Sequence, residues 1–568
     1  MTIRQAKIGA AICAAHLLAV SSATANNIKV AGVALTKNAG SSTATVQFDL
    51  SWENSWRVTT APANYDAAWV FIKYHTGDLN WKTATLDLND AAHTVPAAAT
   101  LDVGNNANPN TPAVPATRGL GAFIYRAAAG SGDVNYTGIR LNWNYAADLV
   151  ADSALVTLDV HAVEMVYIPQ GAFQAGDGIA RAGASDIASF IAGATPAVTT
   201  PFTIASAGPI TVGPVAGSLS HTGQVAAAAP GYRPVPVTFP TGFSAYYLMK
   251  YEASQHQWAA FVNTTSKLPA IAYLYFESTS NVVQNPPPDL IEPVIGRQDF
   301  NSPDLPSHIN GYYLNPLPLT GGIPLPPVPT RPIVQAKFPD RAFVSSEAAT
   351  LAYLDWSGLR PMSEFEYEKA ARGTVAAVQG EFAWGTADVA LVTYGTVAPF
   401  QTTLAQDGLP GEAPSINYNT QGGNAWTRAT IVTLTTGIPI LGPARVGMFA
   451  KESYGAGEAP ARIQSGAGYY GVMDLTGNVS ELVAKWTFPL VAGAVTYSSE
   501  HGDGLLGATT GLHNVPGWAL TPAGATFYGL RGGSFAEQAI PVSQRSLLAA
   551  GTMTNPGIRG ARTAPVAP

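Results

Sequence analysis

The sequence predicts a mixed β and α+β protein, an N-terminal β-sandwich of immunoglobulin type followed by an irregular, loop-rich α+β domain. Three observations predict it. Short apolar-alternating segments separated by turns fill residues 28–163. Only 12% of the 568 residues are charged, while 56 Gly and 43 Pro point to turns, short strands and long loops with few helices. At Glu164 the texture changes, as the strand-like run Met165-Val166-Tyr167-Ile168 leads through Pro169 into a turn at Gly171.

The chain opens with Arg4 and Lys7, an apolar run over residues 8–20, and Ala23-Thr24-Ala25. That is the pattern of a secretory signal peptide cleaved after Ala25, which implies a secreted, periplasmic or cell-surface protein. Cys13, the only cysteine, lies in this segment, and Ile12 stands where a lipoprotein site needs a small residue. The mature chain then has no disulfide, no thiolate metal site and no cysteine nucleophile, and holds together by core burial. No other apolar run approaches the ~18 residues that span a bilayer. A net charge of −7 without a basic block gives no footprint for nucleic acid.

Candidate strands cover residues 44–50, 67–74, 121–126, 139–143 and 154–163, and their aromatics, such as Trp69, Phe71 and Trp143, read as core. The domain boundary is placed between Val163 and Glu164, giving a sandwich over 26–163 and a second domain over 164–568. Within the second domain, residues 285–339 are rich in proline, including Pro286-Pro287-Pro288, and read as a surface insertion with polyproline character. Helices are expected over residues 253–263 and 363–372. In the latter, Ser363 and Glu366 have capping-box spacing. Phe365, Tyr367, Ala370 and Ala371 face a core while Glu364, Glu366 and Glu368 meet water, and Arg360 and Arg372 are placed to pair with carboxylates.

Several separated segments, in order, resemble the formylglycine-generating, sulfatase-modifying factor family. They are residues 164–173, 243–254, 354–373 with Phe382-Ala383-Trp384-Gly385, 471–481, Leu530-Arg531-Gly532-Gly533-Ser534-Phe535, and Gly557-Ile558-Arg559-Gly560-Ala561-Arg562. The resemblance implies a fold related to C-type lectins. It also implies a copper-dependent oxidation of substrate cysteine, carried by cysteines three and eight residues after the Ser of Gly-Gly-Ser. Those places hold Glu537 and Val542. Neither supplies a thiolate for copper(I), so no copper and no formylglycine-generating activity are expected. In the family the Gly-Asn-Val-x-Glu stretch holds a structural calcium, which would place Ca²⁺ at Gly477, Asn478, Val479 and Glu481. The alternative is a plain turn in which Asn478 and Glu481 bond to backbone.

A relative of the family uses non-haem iron, but the nine His of this chain include no His-x-x-x-His pair on an expected helix. No nucleophile elbow and no phosphate loop is present. The sequence therefore points to a secreted, non-catalytic recognition or structural module that binds a protein or glycan through long loops. Its rivals are a metal-dependent oxidoreductase of the same superfamily, and a variable-loop binder diversified over residues 535–562.

Overall fold

A computed structural model describes residues 27–565, apart from 78–79, 107–116, 180–188, 194–199, 222–231, 266–314, 319–339, 391, 395–414, 417–421, 428–430, 434–442, 451–460, 487–496, 509, 519–526, 536 and 546–555. The short strands 315–318, 392–394, 415–416 and 431–433 are described by backbone alone. The expected signal peptide and most of the proline-rich insertion lie outside the described residues. Among the described residues no helix is long and apolar enough to cross a membrane.

The fold is mostly β with few helices, as the composition predicts. Near the N-terminus, Ala44–Arg57 pairs antiparallel with Lys29–Lys37 on one side and Gly130–Trp143 on the other. A second antiparallel layer runs Ala99–Asn105, Gly119–Arg126, Tyr65–His75, Leu155–Ile168. Between the layers Val46, Phe48 and Trp52 meet Val70, Ile72, Ile124 and Leu141 in one buried cluster. The period-2 alternation in Ala44–Arg57 produces this, because successive side chains point to opposite faces.

Tyr65–His75 breaks the alternation. Its residues from Asp66 to His75 are all buried, because the second layer is covered on both faces. Ala68, Val70 and Ile72 face the first layer. Ala67, Trp69 and Phe71 face the other way, into a larger core with Phe173, Trp258, Phe261, Tyr353 and Trp356. The boundary expected between Val163 and Glu164 falls inside the strand Leu155–Ile168. That strand pairs with Tyr65–His75 along most of its length and, from Met165 onward, with Tyr246–Met249 as well. From there the sheet continues through Gly560–Thr563, Arg360–Ser363, Ser480–Ala484 and Tyr528–Arg531. Lys250 braces this junction, its Nζ 2.9 Å from Glu164 and 3.7 Å from Asp66.

Among the described residues three helices of nine or ten residues pack on this sheet. Gln255–Asn263 begins after the expected Ala253, since Ser254 caps it in a capping box with Gln257. Glu347–Trp356, capped by Ser346, is a helix the sequence reading did not predict. Glu364–Arg372 has the expected capping box of Ser363 and Glu366. Its acidic face is a correction: Glu364, Glu366 and Glu368 are at most 2% exposed and do not meet water. In the insertion, Asn315–Pro318 pairs antiparallel with residues 155–158. Its two prolines alternate with Asn315 and Leu317, which leaves one edge free of missing donors.

Candidate functional site

The positions that would carry oxidising chemistry follow the turn at Gly532 and Gly533, both with φ near +80°. A Cβ on Gly532 would lie 2.5 Å from the Leu475 carbonyl oxygen, and one on Gly533 2.3 Å from that of Gln538, so only glycine fits. Beyond the turn, Ser534 and Phe535 are buried and the Glu537 N–H donates to the Ser534 carbonyl at 3.0 Å. Glu537 is partly exposed. Val542 has no exposed surface and packs in a cluster with Val166, Tyr246, Met362, Leu475 and Val483. Its N–H donates to the Glu381 carbonyl at 2.8 Å, and its own carbonyl accepts from Arg531 Nη1 at 2.7 Å. The site of the second expected cysteine is thus packed core.

Around Val542 the ion pairs that the sequence left to solvent are internal. Glu364 accepts from Arg531 Nη2 at 2.9 Å, from Arg545 Nε and Nη2 at 2.8 and 2.9 Å, and from the Trp486 N–H at 2.7 Å. Burial alone would raise its carboxyl, but Arg545 and Arg531 hold it below the usual range. Glu368 accepts from the Gly176 N–H at 2.6 Å, from Arg372 at 3.2 Å and from Arg531 at 3.3 Å. Arg372 also bonds Glu381 and, at 2.6 Å, the Ser543 hydroxyl. Arg360 forms a two-pronged pair with Glu366 at 2.6 and 2.8 Å. Arg360 before the helix and Arg372 at its end both pair with carboxylates, as the sequence suggested. These groups brace the scaffold, and every one of these carboxylates is occupied.

In the Gly477–Glu481 stretch the Asn478 amide and one Glu481 oxygen are bonded within the protein, while the Ser480 hydroxyl and Glu481 Oε2 make no hydrogen bond. Gly477 has φ +91°, and a Cβ there would meet the Trp426 backbone at 2.9 Å; Asn478 has φ +58°. Asn478 Oδ1 accepts from the Ala444 N–H at 2.8 Å, and its Nδ2 donates to Glu252. The other Glu252 oxygen accepts from the Val479 N–H at 3.0 Å. Glu481 Oε1 accepts from Arg559 Nε at 2.9 Å, which leaves Oε2 as the single carboxylate oxygen of this set without a partner. Calcium requires six to eight oxygens. With Asn478 and Glu252 bonded to each other and a guanidinium on Glu481, the donor set does not fit it. Among the described residues no three His, Cys, Asp or Glu side chains are placed to hold a metal ion. Glu252 and Arg559 lie in segments that the sequence reading quoted without giving them this role, because nothing local marks a partner more than 70 residues away.

What these elements define is a β-rich scaffold bolted by buried arginine–carboxylate pairs, with an aliphatic side chain at one of the two places where thiol chemistry would sit. Residues 208–564 match the model of the sulfatase-modifying factor enzyme 1-like domain, and the chain belongs to that family. No curated protein matches the chain.

Proposed function

We propose that the protein is a non-catalytic member of its family, an exported module that uses the scaffold to recognise a protein or glycan. One observation carries the reading: the buried, aliphatic Val542, fixed by Glu381 and Arg531, stands where the resemblance places a metal-binding thiolate. Copper(I) needs soft sulfur ligands, and neither Val542 nor Glu537 supplies one. The N-terminal layers, in this reading an immunoglobulin-like sandwich, present the family domain, and long connections on that rigid frame supply the recognition surface. Metal analysis of the purified protein together with an oxygen electrode tests it. No stoichiometric copper or iron and no oxygen uptake with thiols is the expected result. Stoichiometric iron or copper with oxygen consumption would instead establish an oxidoreductase.

A further inference from the structure

Where the second N-terminal layer meets the helices Gln255–Asn263 and Glu347–Trp356, the packing leaves a recess with an interior of about 50 Å³. Its floor includes Asp159 and His161 on the strand Leu155–Ile168. Asp159 is 2% exposed, and neither carboxylate oxygen accepts a hydrogen bond that meets normal geometry. The adjacent Val160 N–H and His161 Nε2 at 3.6 Å lie beside it, and Lys73, opposite it on the neighbouring strand, gives its ammonium to Thr83 Oγ1 and to the Trp356 and Gly504 carbonyls instead. His161 does not supply the missing charge: burial first, then Lys73 and His256, hold its pKa well below the ordinary value, so the ring is neutral. Burial drives the Asp159 carboxyl well above its ordinary value, so the recess by itself favours the neutral acid and a cation placed beside it restores the charge. Natural interiors satisfy such groups with a counter-ion or ligand.

The remaining walls narrow the ligand. Phe71, Tyr353 and Trp356 give aromatic surface, and Asp340 adds a second carboxylate at the half-exposed rim. His161 is stacked on Phe71 at 5.1 Å and set edge-on to Trp356 at 4.9 Å, so the lining is fixed in place. Carboxylate plus aromatic faces is the chemistry that holds an organic cation. A metal ion is the poorer occupant, since no three metal-ligating side chains converge among the described residues. The interior has room for a short alkylammonium.

We propose that this recess binds a small primary ammonium group, free or at the end of a larger molecule, with Asp159 as its buried anionic acceptor. The site is separate from the scaffold reading above and stands or falls independently of it. Ligand-observed NMR titration of the full chain with ethylammonium chloride tests it, with ethanol and acetate as neutral and anionic probes of similar size. Saturable one-to-one binding of ethylammonium is expected in the millimolar range, the ceiling for so small a ligand. Ethanol and acetate should bind at least tenfold more weakly, and Asp159→Asn should weaken ethylammonium at least tenfold. No saturable binding, or equal binding of ethanol and ethylammonium by the wild-type protein, overturns the proposal. The comparison of probes needs no variant, so it decides the matter even if Asp159→Asn fails to fold.

Discussion

Val542 is held through its side chain in the core, its N–H on Glu381 and its carbonyl under Arg531. Val542→Cys conserves volume closely enough that a cost below about 1.5 kcal/mol is expected. The new thiol would sit in apolar surroundings, which raise its pKa and suppress the reactive thiolate. A maleimide reagent should therefore leave native Val542→Cys unlabelled and label it on unfolding; rapid native labelling would show an open cleft. Glu364 has the opposite character, a carboxylate on which two buried guanidiniums depend. Glu364→Gln leaves Arg531 and Arg545 under-compensated, and a loss of about 3–5 kcal/mol is expected from urea unfolding at neutral pH. The pH dependence has a definite sign. The folded carboxyl lies below its unfolded value, so its stabilisation is complete above the ordinary glutamate pKa of about 4.3. It is lost as pH falls below that through the lower folded value. The wild type should lose stability over this acid range, and Glu364→Gln should lose less.

Among the elements, the helix Glu364–Arg372 shows what local sequence reveals. Its start was legible because a capping box is written within four residues, and Ser363→Ala is expected to cost about 1–2 kcal/mol. Its burial was not legible, because the partners of Glu364 and Glu368 include Arg531 and Arg545, more than 160 residues further on. An acidic helical face is solvated unless such partners arrive, and nothing in the heptad pattern announces them. The turn at Gly477 to Glu481 divides the same way: its punctuation is readable, but Glu252 comes from a segment 226 residues before Asn478. Since Asn478 is bonded to Glu252 and Arg559 is paired with Glu481, a chelator should leave the melting temperature unchanged. Asn478→Ala should lower stability by about 2–4 kcal/mol, by stranding Glu252 and the Ala444 N–H and by straining a positive φ. A drop in melting temperature with chelator, reversed by calcium, would restore the ion.

At the scale of the whole molecule, five N-terminal strands were legible from their apolar patterning, Lys29–Lys37 and Ala99–Asn105 were not, and the scarcity of helices was legible from the glycine and proline content. The continuity of the sheet was not, since a strand shared by two halves looks in sequence like a boundary. Leu155–Ile168 belongs to both, and Trp69, Phe71 and Phe123 share a core with Trp258 and Trp356. Residues 26–163 expressed alone would expose that aromatic face, so the fragment should fail to give a cooperative unfolding transition, whereas the full chain should melt in one. Residues 208–564 place the chain in its family, and the proposed non-catalytic reading rests on Glu537 and Val542 at two positions within that domain. The most direct measurement incubates the wild-type chain with a Cys-x-Pro-x-Arg peptide, copper and oxygen, and follows the peptide by mass spectrometry. The account predicts a peptide of unchanged mass under every copper loading, because neither Glu537 nor Val542 can exchange with a substrate thiol. Conversion of the peptide cysteine to formylglycine by the wild-type protein would contradict it.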